Sequence, residues 1–260
     1  NRTSPFAFTG NKFEFRMVGS KDSIAMPNTT LNAIVAEAFK EAADALEGAA
    51  DFDKACDEFI AKTMREHQRI VFNGNGYSDE WVAEAEKRGL PNLKSMVAAT
   101  EALTTDKAVK LFGDFNIMSK AELELRAEVL YETYSLSINI EALTMIDMAA
   151  KDILPAVVKY TTELAASINE VTAAGADASV QKEMLDEISK YLKEANEALK
   201  KLKADQADAE KADTKSTAEY YRDVIKADME ALRAPVDTLE TLVDSEYWPI
   251  PTYGDLLFEA

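Results

Sequence analysis

Cysteine, histidine, glycine and proline are all scarce in this 260-residue chain, which has one Cys, one His, nine Gly and seven Pro. A single cysteine excludes an internal disulfide and leaves the reducing cytoplasm as the expected location. A single histidine excludes a metal site built from several histidines. Because tight turns need glycine and proline, their scarcity beside abundant Ala, Glu, Lys and Leu predicts a mainly helical protein.

Positive charge is also in short supply, since 29 Lys and Arg stand against 47 Asp and Glu, a formal net charge of −18. Most of such a surface repels phosphate groups, so we expect neither nucleic acid nor an anionic membrane as a partner. Apolar runs fall short of the roughly 20 residues that span a bilayer, and no signal peptide opens the chain. The chain starts at Asn1 within an extended-looking segment, so we expect a piece of a longer protein.

Residues 1–18 carry the one convincing strand pattern. An apolar stretch over 6–8 precedes the turn sequence Gly10-Asn11, and apolar and charged residues then alternate. This arrangement predicts a β-hairpin over 1–18. On its second strand, Glu14 and Arg16 would project from one face, about 7 Å apart. Such a pair is more often a surface salt bridge, although a carboxylate can also bind a divalent cation and a guanidinium an anion.

From Pro27 onward, apolar residues recur every three or four positions, which predicts helices. Long helices are expected over about 119–174 and 179–211 and from Asp213 onward. Pro155 should kink the first helix or split it near Asp152, and Pro235 should kink the third. Their apolar seams predict antiparallel, coiled-coil-like packing. The predicted seams are Leu136, Ile140, Leu143, Ile146, Ala150, Ile153, Val157, Tyr160 and Leu164; Leu185, Ile188, Leu192, Ala195, Leu199 and Leu202; and Ile225, Met229, Leu232, Val236, Leu239 and Val243.

Other candidate residues favour structural roles. Cys56 lies in a helical apolar pattern and is expected to fill the core rather than act as a nucleophile. His67 is placed near a helix end, where a cation complements the helix dipole. Residues 73–76 (NGNG) lack the lysine and the strand–loop–helix context of a phosphate-binding loop. The tail 247–260 has two prolines, so we predict an extended segment whose apolar residues lie on its own domain or on a neighbouring subunit.

Three segments resemble type III glutamine synthetases: NRTSPFAFTGNKFEFR (1–16), HQRIVFNGNGYSDEWVAEAEKRGL (67–90) and YWPIPTYGDLLF (247–258). In the first, an Asn-Arg dipeptide precedes a strand of the form basic-apolar-Glu-apolar-Arg, similar to the end of the family's catalytic domain. The resemblance implies that 1–90 is the end of that domain, 91–246 a helical C-terminal domain with long antiparallel helices, and 247–260 a tail.

The resemblance also implies ATP-dependent ligation of ammonia to glutamate through γ-glutamyl phosphate, with Mg²⁺ or Mn²⁺, in a ring-shaped homo-oligomer. By motif, Glu14 would be a metal ligand, Arg16 would hold the substrate carboxylate or the transferring phosphoryl group, and Arg2 the nucleotide phosphates. One position departs from the pattern, because Ala7 stands where type I enzymes carry a second arginine. The family's other metal carboxylates lie upstream of Asn1, so we expect the chain alone to be inactive. The alternative is a helical scaffold for oligomerisation without catalysis.

Overall fold

A computed structural model describes residues 6–8, 12–15, 23–251 and 253–258 of the chain. The prediction of a mainly helical protein is confirmed. The chain divides into two compact units: unit 1 contains residues 1–94 and 101–124, and unit 2 contains residues 95–100 and 125–260. In the described ranges, no helix combines the length and the apolar character needed to cross a membrane.

Unit 1 begins with two short strands. Strand β1 (Phe6–Phe8) pairs antiparallel with β2 (Phe13–Phe15), so that Ala7 stands opposite Glu14. The predicted turn at Gly10-Asn11 lies outside the described residues. The helices of unit 1 are α1 (Ala25–Leu46), α2 (Phe52–Glu66), a 3-10 turn (Gln68–Ile70), α3 (Asp79–Lys87), a 3-10 turn (Glu101–Thr104) and α5 (Asp106–Asp114).

Polar side chains determine where several of these helices begin. Asp51 accepts a hydrogen bond from the backbone N–H of Lys54 at 3.1 Å, and Ser78 accepts one from Trp81 at 3.4 Å. Thr105 caps α5 in the same way. Each cap satisfies an N–H that the first turn of a helix leaves unpaired. A small core then forms around Ala33, Phe112 and Leu123, all nearly inaccessible to solvent.

Unit 2 contains most of the hydrophobic core. The long helix α6 (Lys120–Met148) has its first turn in unit 1 and the rest in unit 2. The other helices of unit 2 are α4 (Met96–Thr100), a π-helical turn (Ala149–Ile153), α7 (Leu154–Ala173), α8 (Ser179–Ala207), α9 (Thr214–Tyr220), a second π-helical turn (Tyr221–Ile225), α10 (Lys226–Leu242) and α11 (Tyr253–Phe258).

The predicted interruption near Pro155 is confirmed, because the π-helical turn Ala149–Ile153 separates α6 from α7. Proline has no N–H to donate, and its ring crowds the carbonyl four residues earlier, so a wider turn accommodates it. Pro235, by contrast, lies buried inside the continuous helix α10. The second π-helical turn, over Tyr221–Ile225, was not predicted because neither proline nor glycine marks it.

Helices α7, α8 and α10 share one hydrophobic cluster, and here two predicted seams are largely confirmed. On α7 the seam residues Val157, Tyr160 and Leu164 are buried, and on α8 the seam residues Leu199 and Leu202 are at most 4% exposed. Burying these apolar surfaces is the main stabilising contribution to unit 2.

The predicted seam is wrong on the C-terminal half of α6. Leu136, Ile140 and Leu143 are 61%, 64% and 45% exposed, whereas Ser135 and Ala142 are buried. Periodicity alone leaves this helix ambiguous because it carries apolar residues on two faces. The core takes the face with small residues, since serine and alanine allow neighbouring helices to approach closely.

The tail agrees with its prediction at Trp248 and differs from it at 253–258. Trp248 is buried in its own domain, and the ring of Tyr247 lies 5.3 Å from that of Tyr160. Residues Tyr253–Phe258, however, form the short helix α11 instead of an extended segment. Pro249 and Pro251 both precede α11, so neither ring obstructs its hydrogen bonds.

Candidate functional site

Strand β2 places the predicted metal ligand Glu14 in the middle of a hydrogen-bonded strand pair. The Glu14 side chain is 39% exposed, and its Oε1 lies 3.7 Å from the Nζ of Lys12. Lys12 stands two residues earlier and therefore projects from the same face as Glu14. Because an exposed ion pair contributes at most about 1 kcal/mol, a divalent cation would compete effectively with Lys12 for the carboxylate.

Ala7 is the direct cross-strand partner of Glu14. Position 7, where the sequence departs from the type I pattern, is therefore paired in register with the candidate ligand.

Glu14 suits one position of a magnesium or manganese site, but it does not complete one. Mg²⁺ requires about six oxygen ligands, several of them commonly water. Across the described residues, no cluster of three or more Asp, Glu, His or Cys side chains is arranged to hold a metal ion. Arg2 and Arg16 lie outside the described residues, so their placement next to Glu14 stays a prediction.

The segment 67–90, which also carries the family resemblance, is held together by Arg88. The Nη1 of Arg88 donates to the carbonyl oxygens of Val71 and Arg69 at 2.9 and 3.3 Å. Its Nε donates to Glu84 at 2.6 Å, and this hydrogen bond holds the pKa of the Glu84 carboxyl below its usual range. Arg88 therefore anchors the end of α3 to the loop that follows α2.

Two aromatic rings complete this contact. Phe72 stacks on Trp81 with ring centroids 4.1 Å apart, and the guanidinium of Arg88 lies 5.6 Å from the Trp81 ring. A Cβ atom on Gly74 would come within 2.5 Å of the Phe72 ring, so a side chain there requires the ring to move. The NGNG sequence thus serves loop packing.

His67 lies at a helix end, as expected, whereas Cys56 does not fill a core, because α2 has no fully buried residue. His67 ends α2, where its N–H donates to the carbonyl of Thr63 and its own carbonyl accepts from the N–H of Ile70. Cys56 is half-buried on α2.

A buried charge cluster in unit 2 was missed by the sequence reasoning. Asp228 on α10 is 5% exposed, and its Oδ1 forms an ion pair with Lys201 of α8. Lys201 also donates to Asp205 at 2.8 Å. The second oxygen of Asp228, Oδ2, is buried and has no hydrogen-bond partner in the described part of the chain. The cluster links the two helices that form most of the core.

The pKa values of Lys201, Asp205 and Asp228 do not all shift in the same direction. Hydrogen bonds to Asp205 and Asp228 raise the pKa of Lys201. The hydrogen bond from Lys201 lowers the pKa of Asp205. Burial is the largest influence on Asp228 and raises the pKa of its carboxyl above 3.8, despite the neighbouring Lys201. The folded protein therefore holds the Asp228 proton more tightly than the unfolded chain does.

A one-residue shift in the heptad pattern would have revealed Asp228. The predicted α10 seam is largely confirmed, because Ile225, Leu232, Leu239 and Val243 are buried and Met229 and Val236 are half-buried in the same cluster. The structure also buries Asp228 and Pro235, which lie one residue before Met229 and Val236. Both choices keep three- and four-residue steps through Leu232, so spacing cannot separate them. Residue type favoured Met229 over Asp228 as the buried residue, because isolated buried carboxylates are rare.

The Asp228 carboxyl should make stability depend on pH. Because its folded-state pKa is raised, the free energy of unfolding contributed by Asp228 falls as pH rises from 3.8 through that pKa. Asp228→Asn keeps the shape and removes the titration. We expect the wild-type-minus-variant difference in unfolding free energy to decrease as the pH rises above about 4. Urea denaturation of both proteins measures it; a difference that grows with pH would contradict the shift.

Comparison with known proteins first identifies the helical part. Residues 55–172 match the family model of the glutamine synthetase C-terminal domain. The matched range includes the Arg88 contact and the interruption before Pro155. The helical domain is thus of the class that glutamine synthetases carry at their C terminus.

Relatives that align with nearly the whole chain make the family assignment more specific. The chain is 38% identical over 275 residues to a glutamine synthetase of Butyrivibrio fibrisolvens and 36% identical over 271 residues to a type-3 glutamine synthetase of Dictyostelium discoideum. It is 33% identical over 276 residues to a glutamine synthetase of Bacteroides fragilis (strain YCH46). Each alignment covers 99% of this chain but only 37%, 36% and 37% of the three relatives, respectively. The chain belongs to the type III glutamine synthetase family, as a C-terminal portion.

Proposed function

We propose that this chain supplies part of the active site of an ATP-dependent glutamate–ammonia ligase. The observation that supports the proposal is Glu14, a half-buried carboxylate at the centre of a paired strand, in a chain of this family. In this proposal Glu14 is a metal ligand, Arg16 binds the substrate carboxylate or the transferring phosphoryl group, and Arg2 binds the nucleotide phosphates. ATP and Mg²⁺ or Mn²⁺ are the cofactors, and glutamate and ammonia the substrates.

These residue types suit the charges of the reaction. Transfer of the γ-phosphoryl group to the glutamate carboxylate spreads negative charge over the phosphoryl oxygens. Arg16 and Arg2 neutralise that charge from fixed positions, which costs no reorganisation during the reaction. A bound divalent cation adds Lewis-acid stabilisation. Ammonia then attacks the activated carbonyl, phosphate leaves, and the nitrogen loses a proton to give glutamine.

The remaining assignments follow the same proposal. Residues 1–90 are the end of the catalytic domain, 91–246 a helical domain with antiparallel, coiled-coil-like packing, and 247–260 the tail. The parent protein is a cytoplasmic, ring-shaped homo-oligomer. The acidic composition supports the absence of nucleic-acid and membrane partners.

The 260-residue chain alone should form no glutamine above background. It provides one proposed metal carboxylate, whereas phosphoryl transfer requires a complete metal and glutamate site. The assay measures glutamine from glutamate, ammonia, ATP and Mg²⁺, with the full-length protein as the positive control. Turnover by the purified chain would show that the site is complete without upstream residues.

A helical scaffold without catalysis is the second candidate, favoured by the extensive α7–α8–α10 core and the buried Trp248. The two candidates differ in the expected consequence of changing Glu14 in the full-length protein. If this chain is only a scaffold, the full-length protein should keep both its assembly and its glutamine synthesis after Glu14→Ala. If the chain contributes Glu14 to the active site, the full-length protein should lose synthesis.

A further inference from the structure

Helix α2 has the sequence pattern of a core helix, yet none of its residues, all of which lie in the described range 23–251, is fully buried. Apolar side chains recur at every fourth position, at Phe52, Cys56, Ile60 and Met64. Phe52, Ile60 and Met64 are 59%, 54% and 61% exposed, and Cys56 is half-buried. We call this row of four side chains the α2 ridge.

The side of α2 opposite the ridge is charged and its charges are paired within the helix. Lys54 forms an ion pair with Glu58, and Lys62 forms one with Glu66, each at 3.9 Å. Such pairs one turn apart suit a helix face that stays in water. A row of residues four positions apart, by contrast, is the ridge that helices pack into the groove of a neighbour. Helix α2 therefore has one solvent face and one packing face.

The two flanks of the ridge differ. Half-buried residues lie along one flank: Ala55, Phe59 and Thr63. Exposed, charged residues lie along the other: Asp53, Asp57 and Arg65. Packing inside unit 1 thus covers one flank and leaves the ridge open. The charged flank has the polar character of an interface rim, beside an apolar centre.

Unit 1 also contains a sheet that is too small to be stable by itself. Strands β1 and β2 have three residues each, and in the described part of the chain no further strand joins them. A two-stranded hairpin is at best marginally stable in water and needs more strands or a helix packed on its face. Unit 1 therefore lacks packing partners at two separate places, the hairpin and the α2 ridge.

We propose that the α2 ridge packs against the part of the full-length protein that precedes this chain, within the same polypeptide. The relatives support this occupant, because the chain aligns with only 36–37% of their length, as a C-terminal portion. In such a protein the larger part precedes unit 1 and is covalently joined to it. A tethered segment has a high effective concentration at a nearby surface, which favours it over a separate molecule. The contact is independent of the proposed roles of Arg2, Glu14 and Arg16.

The size of the ridge suits one part of a contact inside a polypeptide. The ridge rises about 18 Å along the helix from position 52 to position 64. Its exposed apolar area, roughly 300 Å², is comparable to the largest patches usual on soluble domains. Contacts between domains of one chain bury roughly 600–1,500 Å², so the ridge is one part of a larger surface. Because the ridge side chains carry no charge, the surface that covers them should be apolar.

Thiol labelling tests whether the ridge is covered. Met64→Cys is introduced together with Cys56→Ser, both in the full-length protein and in the 260-residue chain, and labelling of the position-64 peptide by a maleimide is followed by mass spectrometry. We expect labelling to be at least about 10-fold slower in the full-length protein, because it then requires local opening. Lys62→Cys is the matched control on the charged face of α2 and should be labelled at similar rates in both proteins. Equal rates at position 64, or equal slowing at positions 62 and 64, would overturn the proposal.

Photo-cross-linking identifies what covers the ridge. A benzophenone side chain replaces that of Met64 in the full-length protein. After irradiation we expect a product that migrates as a single chain on a denaturing gel, with cross-linked peptides from the residues that precede Asn1. A product of twice the mass would assign the ridge to a second copy. Cross-links confined to residues 1–260 would assign it to this chain itself. Either result would contradict the proposed occupant.

A charge placed in the ridge provides the third test. Ile60→Glu is compared with Lys62→Glu, which puts the same side chain on the charged face. In the 260-residue chain both variants should keep nearly the wild-type urea midpoint, because both positions are exposed. In the full-length protein, Ile60→Glu should restore fast labelling at position 64, a gain of about 10-fold, whereas Lys62→Glu should not. Equal effects of the two variants would exclude the α2 ridge as the contact.

Discussion

Replacing Glu14 by alanine in the full-length protein is expected to lower the rate of glutamine synthesis by about 1,000-fold. A bound metal supplies several kcal/mol of transition-state stabilisation, and a loss of about 4 kcal/mol corresponds to that factor. The fold should persist, because the exposed Lys12–Glu14 ion pair contributes at most about 1 kcal/mol. The measurement is steady-state turnover together with Mn²⁺ affinity.

Lys12→Ala is the matched control for this experiment. It removes the cation 3.7 Å from Oε1 but keeps the proposed ligand. We expect near wild-type turnover and equal or tighter metal binding, because one competitor for the carboxylate is lost. If Glu14→Ala kept normal turnover and metal affinity, Glu14 would be a surface residue and the scaffold candidate would gain support.

Leu202→Ala is expected to produce the largest loss of stability among the substitutions considered, about 2–5 kcal/mol. Leu202 is fully buried on α8, within the cluster shared with α7 and α10. Shortening it removes transfer free energy and leaves a cavity that the surrounding helices fill only partly. Denaturant unfolding of the 260-residue chain measures the change.

Leu136→Ala makes the same chemical change on α6 and provides the comparison. Leu136 is 61% exposed, so its loss should cost below about 1 kcal/mol when measured on dilute, monomeric protein. The sequence pattern places both leucines in seams and predicts equal effects. Equal losses would show that the face of α6 that carries Leu136 is buried, contrary to the structure.

Local pattern was sufficient to predict the helical class and much of α7 and α8. The α8 seam succeeds because that helix has one apolar face, including Ile188, Ala195 and Leu199, opposite a highly charged one. The interruption before Pro155 was predicted correctly because the missing N–H of the proline affects the residues next to it. Such features depend on chemistry within a few residues along the chain.

Pattern was insufficient wherever two faces or two partners competed. Helix α6 offers apolar residues on both sides, and α10 accepts either Asp228 or Met229 at the same spacing. The stacking of Phe72 on Trp81 next to Arg88 joins residues up to 16 positions apart. These outcomes depend on which surfaces come into contact. The order of residues along the chain does not specify which distant residues lie close together.

By itself, the sequence determined the composition, the helical periodicity, the alternation around Glu14 and the motifs that resemble type III glutamine synthetases. These are properties of neighbouring residues, so reading along the chain recovers them. Only the tertiary structure decided that Ala7 stands opposite Glu14, that Asp228 is buried against Lys201 and that Leu136 and Ile140 of α6 are exposed. The reason is that hydrogen-bonded register and burial are set by contacts between distant segments, and the pattern within one segment does not specify them.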